Sequence, residues 1–372
     1  MGPVTISIDM MGGDHGLKVT IPAVKIALSA HPDVDFILVG DESKMRPFLK
    51  KSRLLKNPRI KIQHASEVVE MGELPSHALR SKKDSSMRVA INLVKEDRAQ
   101  ACVSAGNTGA LMATARFVLK TLPGVDRPAI VYAIPTLDYK TKRYSPVQML
   151  DLGANVDCSE AHLFQFAAMG SVLARAVDGI EHPRVGLLNI GVEEIKGHQV
   201  IQDAAKLISS CDDLNYIGFI EGNDIFKNKA DVIVCDGFMG NIALKTIEGV
   251  VKFVGETFKI SIHRHLLNKI LGILAIPIFS DVRKVLDMRK YNGATLIGLN
   301  GIVIKSHGGA LPIPFAAAIS QAVKEVKRDV LNQIRHSVEH LLVIRPNETS
   351  QGLENKENKE NKENKEKIGH SE

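Results

Sequence analysis

Short runs of β-branched and aliphatic residues recur down the chain, most of them followed by a stretch whose apolar positions have helical spacing. Period-two runs make strands and period-3.6 runs make helices, so this succession predicts an α/β protein with a largely parallel sheet and flanking helices. Strand candidates are Thr5–Asp9, Asp35–Val39, Arg59–Gln63, Ala101–Ser104, Ala129–Ile134, Gln148–Leu152, Arg184–Ile190, Tyr216–Ile220, Val232–Cys235 and Thr295–Gly298. Helix candidates are Pro22–Ala30, Met87–Lys95, Ala110–Lys120, Glu160–Val177, Gln199–Ile208, a helix from Ile242 onward, and Phe315–Leu341. That is many strands for one open sheet, so a sheet shared by two lobes with a cleft between them is expected. Residues 1–344 read as one catalytic α/β domain, with an apolar helical hairpin at about 245–290. The NKE repeats from Asn355 to Glu366 contain no apolar residue to offset ordering entropy, so 345–372 reads as a disordered tail.

Aromatic residues make up only 5% of the 372 residues and Trp is absent, which argues against a stacking platform for nucleic acid. The net charge of +6 favours anionic partners such as phosphate, an acidic protein or an anionic membrane surface. Cys102, Cys158, Cys211 and Cys235 form no metal or redox spacing, and they read as reduced thiols of a cytoplasmic protein. The N-terminus shows no signal-peptide pattern, and no apolar run approaches the ~18 residues that span a bilayer.

Glycine punctuates the ends of the strands. MGGDHG (Met11–Gly16), SAGNTGA (Ser104–Ala110), DLGANVDC (Asp151–Cys158), IGVEEIKG (Ile190–Gly197), DGFMGN (Asp236–Asn241) and KSHGGA (Lys305–Ala310) share one grammar of small and polar residues. Each alone is ordinary turn chemistry. Together they predict a cleft that holds an anion, since glycine lets a ligand approach the backbone and strand carboxyl ends are where ligands bind. No GxGxxG follows a strand, and GxxxxGK[ST], GxSxG and HExxH are absent, so the anion is expected to be phosphate without a nucleotide.

ISIDMMGGDHG, SAGNTGALMA, LDLGANVDC, GLLNIGVEEIKG, DVIVCDGFMGNIALKTIEG and GLNGIVIKSHGGA together resemble the bacterial phosphate acyltransferases of phospholipid synthesis. The resemblance covers nearly all the chain except the tail. It implies transfer of a fatty acyl group from acyl-[acyl-carrier-protein] to inorganic phosphate; a short-chain acyl-coenzyme A phosphate acyltransferase and a non-catalytic membrane-associated adaptor are the alternatives, and since phosphate attack requires no metal, neither a metal nor another cofactor is expected. It also implies a fold similar to isopropylmalate dehydrogenase and phosphate acetyltransferase, a homodimer, peripheral attachment to the cytoplasmic membrane, and a downstream glycerol-3-phosphate acyltransferase as a candidate partner.

The chemistry suits these residue types. Hydrogen phosphate is already a nucleophile and a thioester has a good leaving group, so the protein need only position both and stabilise the oxyanion. Lys196, at the end of GVEEIKG, is the first candidate, and the resemblance assigns a catalytic role to it and to Asn241; a solvated loop lysine is the competing reading for Lys196 and an N-cap for Asn241. Candidate phosphate-binding residues are Asp9, Gly13, Asp14, His15, Ser104, Gly106, Asn107, Thr108, Asn155, Gly240, Ser306 and His307, each with a turn or structural role as its alternative. Asp151, Asp224 and Asp236 are candidates to orient the donors. His198 and Asp203 match the HxxxxD signature of glycerolipid acyltransferases, but their spacing does not put them on one helix face, and the match reads as coincidence.

Ile270–Phe279 is continuously apolar, too short to span a bilayer, and flanked by His263, Arg264, His265, Lys269, Arg283 and Lys284. Leu271, Ile273, Leu274, Ile276 and Ile278 therefore belong to a dimer interface or to a tip pressed into an anionic bilayer. A second cluster, Lys44, Arg46, Lys50, Lys51, Arg53, Lys56, Arg59 and Lys61, is either a solvated face or a receptor for an acidic acyl carrier protein.

Overall fold

The computed structural model describes residues 4–265, 268, 271, 274–276 and 292–343, and of residues 341–343 the backbone only. Eleven strands form one sheet: β1 (Val4–Asp9), β2 (Val34–Gly40), β3 (Ile60–His64), β4 (Ala101–Ser104), β5 (Ala129–Asp138), β6 (Arg143–Leu150), β7 (Arg184–Leu188), β8 (Asn215–Ile220), β9 (Val232–Val234), β10 (Ala294–Ile297) and β11 (Ile302–Lys305). Their order is β3-β2-β1-β4-β11-β10-β5-β6-β9-β7-β8. The first five are mutually parallel, β6, β9, β7 and β8 are mutually parallel, and the pairs β11/β10, β10/β5 and β5/β6 are antiparallel.

Those three reversals make the two parallel sets run in opposite directions. Strand carboxyl ends would then lie at opposite edges of the sheet, were it not for the register. One row of paired residues crosses all eleven strands: Ile62, Leu38, Ile8, Val103, Ile304, Thr295, Val131, Leu150, Val234, Leu187 and Phe219. In every parallel strand this row falls within two residues of the carboxyl end. The two sets are thus staggered, and the loops after β1, β4 and β11 leave the same line as those after β6, β7 and β9.

Helices cover both faces. The β1–β4 lobe is clad on one side by α1 (Leu17–Ala30) and α2 (Glu42–Lys51), and on the other by α3 (Pro75–Ser81), α4 (Ser86–Lys95) and α5 (Thr108–Leu119). The second lobe carries α6 (Glu160–Leu173, continuing as a π turn, Ala174–Asp178), α7 (Gln199–Ser209) and the long α8 (Gly237–Arg264). Helix α6 buries the unbroken run Leu163–Leu173. Apart from Gln165 and Ser171 that run is apolar on every side, as suits a helix covered all round.

The sequence expectations need four corrections. Ile302–Lys305, absent from the strand candidates, is a strand that fills the centre of the sheet and takes in the first residue of the KSHGGA loop. Strands β5 and β6 extend into a long hairpin over Ala129–Leu150. The helix expected over Phe315–Leu341 is two, α9 (Pro312–Lys327) and α10 (Val330–Val343). They are separated at Asp329, whose φ of +53° is left-handed and cannot continue a helix. Helices α2 and α3 were not foreseen. Among the predicted hairpin residues, Ile273 and Ile278 lie outside the described residues, as does the 345–372 tail.

Candidate active site

The loops after β1, β4 and β11 meet at the carboxyl edge of the first lobe. Asp9 is their anchor. Buried at the end of β1, it accepts hydrogen bonds at Oδ1 from Met11 N–H (3.2 Å), Gly12 N–H (3.1 Å) and Ser86 Oγ (2.6 Å), and at Oδ2 from Ser104 Oγ (2.7 Å). Ser104 Oγ in turn accepts from Gly106 N–H at 3.0 Å. Ser306 is buried beside them, its N–H donating to Ser104 O (2.8 Å) and its Oγ accepting from Asn292 Nδ2 (2.8 Å). Gly13 has φ +86°, and a Cβ there would stand 2.8 Å from Gly308 O, the acceptor of Asp14 N–H at 3.0 Å. Only glycine permits that approach.

On this frame Asp14, His15, Thr108 and His307 are exposed. His307 Nδ1 accepts from Gly309 N–H (3.1 Å), so Nε2 carries the proton of the neutral ring. Asn107 is different. Its Oδ1 caps α5 by accepting from Ala110 N–H (2.9 Å), and its Nδ2 donates to Met71 O (2.6 Å) and Glu73 O (3.2 Å). Both amide hydrogens are therefore spent on the loop before α3, and of the two roles the sequence left open, the structural one is what its side chain performs.

The loops after β6, β7 and β9 form a second group. Asp151 is buried, with Oδ1 accepting from Ile130 N–H (2.8 Å) and Ala154 N–H (3.2 Å), and Oδ2 from Asn155 N–H (2.7 Å) and Nδ2 (2.9 Å). Burial pushes its carboxyl pKa up, against these four donors. Asn155 also donates to Pro128 O (2.8 Å) and accepts at its carbonyl from Gly237 N–H (2.7 Å), tying this loop to the start of α8. Asn155 is thus a brace between loops. Gly240 is pressed onto Asp151: a Cβ there would lie 1.9 Å from the Asp151 carbonyl oxygen.

The cap question at Asn241 resolves cleanly. Asp236 caps α8, accepting from Met239 N–H at 2.8 Å, which leaves Asn241 in the helix's second turn, exposed and beside Gly153. Lys196 is also exposed, and its ammonium makes no ion pair among the described residues. Its loop is held by Asn189 Nδ2, which donates to Lys196 O (3.1 Å), and by Gly197 at φ +89° against the Asn189 side chain. The same loops and the first turns of α8 carry exposed apolar side chains: Val156, Ile190, Val192, Ile195, Phe238 and Ile242.

The remaining candidates fall elsewhere. Asp224 pairs with Lys227 (2.9 Å) and Lys229 (2.7 Å) beyond β8. His198 precedes α7, and Asp203 bonds Gln199 and Lys206 on that helix, so the HxxxxD match has no shared geometry. A polar hollow of about 390 Å³, lined in part by Arg175, His182, Asp212 and Asn215, sits at the amino ends of β7 and β8, away from both loop groups. Among the described residues no group of three or more His, Cys, Asp or Glu side chains could hold a metal ion, and no helix is long and apolar enough to cross a membrane.

Sequence reasoning missed Lys305, the last residue of β11. It is buried, and burial lowers its ammonium pKa to about 8. The signal was present, since IVIK ends an apolar run in a cation immediately before SHGG.

Comparison with known proteins places this architecture. Solved structures of phosphotransacetylases from Staphylococcus aureus (TM-score 0.54, 18% identity, 88% of this chain and 94% of that one) and Streptococcus pyogenes (0.52, 17%, 90% and 94%) share the fold. A phosphate acyltransferase from Legionella pneumophila strain Paris is 54% identical over 338 residues, covering 91% of this chain and 97% of its own. Those from Halorhodospira halophila (52% over 339 residues, 91% and 97%) and Alcanivorax borkumensis (55% over 330 residues, 89% and 96%) are similar to it as well. The model of the family described as fatty acid synthesis protein matches residues 4–333. With both lobes inside that match and relatives above half identity across about nine tenths of its length, the chain belongs to the fatty acid synthesis protein family, alongside the bacterial phosphate acyltransferases.

Proposed function

We propose that this chain transfers a fatty acyl group from acyl-[acyl-carrier-protein] to inorganic phosphate, yielding an acyl phosphate for phospholipid synthesis. The observation that carries the reading, beside the family, is the shared row: it sets two groups of anion-suited loops at one line of the sheet.

In the reaction a phosphate oxygen attacks the thioester carbonyl carbon. The tetrahedral oxyanion then collapses, the C–S bond breaks, and the carrier's thiolate leaves and takes up a proton. No protein nucleophile is required. The thiols also suit none: burial raises the pKa of Cys102 and Cys235, and pushes Cys158 up to about 12, so thiolate is scarce near neutrality. Lys196 and Asn241 are assigned to phosphate and oxyanion, Lys196 by charge and Asn241 by its amide donor. Both have side chains at the surface of the second loop group. Asp14, His15, Thr108 and His307 are the candidates to complete the phosphate site. The apolar rim of Ile190, Val192, Ile195 and Phe238 favours a long acyl chain over an acetyl group.

Partners follow from exposed surface. Arg59 spends its guanidinium on the carbonyls of Leu28, His31 and Val34, and Lys44 and Arg46 pair with Asp41 and Glu42. Lys50, Lys51, Arg53, Lys56 and Lys61 stay exposed for an acidic carrier protein. Beyond its first turns α8 exposes Val250, Phe253, Phe258 and Ile260, and Leu271, Leu274 and Ile276 follow, also exposed. We assign this stretch to a homodimer contact and to docking on an anionic membrane.

The test is to incubate the protein with acyl-[acyl-carrier-protein] and phosphate and trap acyl phosphate with hydroxylamine. Phosphate-dependent hydroxamate is expected; none with an active carrier substrate would end the reading. A product formed only from a short acyl-coenzyme A would favour a soluble short-chain transferase instead.

A further inference from the structure

Lys305 occupies the centre of the sheet, paired through β11 with Ser104 of β4 on one side and Ala294 of β10 on the other. Its residue is 7% exposed. Of the three N–H groups of its ammonium, one donates to Ser306 O, and the described residues supply no carboxylate within 4.0 Å to form an ion pair with it. Asp9 and Asp14 are close enough to act on it through space, but Asp9 has both oxygens committed to Met11, Gly12, Ser86 and Ser104. A buried cation without a paired anion is costly, and its cost is relieved when a ligand supplies the missing charge. The loop after β1 and the loop that follows Lys305 are packed together at Gly13, where a Cβ would stand 2.8 Å from Gly308 O.

We propose that Lys305 is a phosphate-binding residue of this site, holding the inorganic anion from beneath while the exposed residues of the loops close on it. The proposal rests on the acyl-phosphate reading for the identity of the anion, and it adds a buried cation to the exposed ones. Lys305 sits one residue beyond the shared row, so an anion held there lies at the line from which both loop groups spring. Burial holds the free ammonium's pKa near 8, and a bound dianion raises it. Phosphate binding above that pH then draws a proton onto the protein. The charged groups facing it are Asp9 at the end of β1, Asp14 on the loop that follows, and Lys245 on α8.

The experiment measures binding of inorganic phosphate by calorimetry and by the phosphate-dependent rise in Tm, without acyl donor, for wild type, Lys305→Met and Lys305→Arg. Turnover is followed separately. Lys305→Met should fold, lose the phosphate-dependent rise in Tm, and raise KM for phosphate about tenfold or more while KM for the acyl donor stays within about twofold. Lys305→Arg should retain part of the phosphate response. Wild-type phosphate affinity should fall up to about tenfold per pH unit above pH ~8, with proton uptake on binding. A Lys305→Met protein that keeps wild-type phosphate binding overturns the proposal. If that variant does not fold, wild-type binding that is flat with pH and takes up no proton overturns it equally. Wild type that binds phosphate yet forms no acyl phosphate refutes the transfer reading instead, and the two failures are therefore distinct.

Discussion

Glu325 offers a sharp test of how this sheet is packed. It lies on α9 with no exposed surface, its Oε1 accepting from Thr295 Oγ1 and from Gln321 Nε2 (2.8 Å), while Oε2 has no hydrogen-bond partner. Burial is the dominant influence and raises the carboxyl's pKa from the usual 4.5 to about 7. The sign follows from linkage. Between about pH 4.5 and 7 the folded protein keeps a proton that the unfolded chain has released, so the stability this group contributes is fully present below 4.5 and is lost as pH rises through 7. At ~1.4 kcal/mol per pH unit, the loss amounts to about 3 kcal/mol. The group is fully buried, so solvent screening does not reduce it. Glu325→Gln keeps the shape and removes the titration. Urea unfolding of both proteins from about pH 3.5 to pH 9 should show the variant gaining on wild type by about 3 kcal/mol between the two pKa values, with the difference levelling off on either side. A stability difference independent of pH would show that Glu325 is not buried against Thr295 as described.

Other expectations are simpler to read. Lys196→Ala and Asn241→Ala, both at exposed positions, should each lower kcat by about a hundredfold or more with Tm unchanged; near-normal turnover would remove the residue from the mechanism. Gly240→Ala would put a methyl 1.9 Å from the Asp151 carbonyl and should cost about 3 kcal/mol or more, read as lost soluble yield and a lower Tm. Leu271→Glu with Ile276→Glu should release the protein from anionic liposomes in sedimentation without lowering activity on a soluble donor. An unchanged pellet fraction would leave the dimer contact as the sole role of that stretch.

The loops were legible because glycine writes its constraints locally. Gly13 and Gly197 adopt positive φ, and Gly240 meets a carbonyl oxygen, and each stood in a motif singled out for its glycines. Asn241 was legible as a surface donor only once the cap was known, since Asp236 and Asn241 both precede or open the same helix in sequence and only hydrogen bonds distinguish them. Asn107 shows the reverse: its residue type suited a ligand, but its amide is consumed by Met71 and Glu73, more than thirty residues away. Lys305 was overlooked because a lysine at a strand end normally reaches water. Here it is flanked by paired strands on both sides and is buried.

Residue patterning alone determined the α/β class, most strand positions and the glycine loops, because these depend on neighbours within a few residues. Tertiary structure decided how the strands pair. Periodicity is blind to pairing partners, so nothing local announces that β10 pairs antiparallel with β5, or that the resulting stagger returns both sets of carboxyl ends to one row. Two of those reversals are local hairpins, but the β10/β5 pairing joins segments more than 150 residues apart, and it sets the two groups of loops on one line of the sheet.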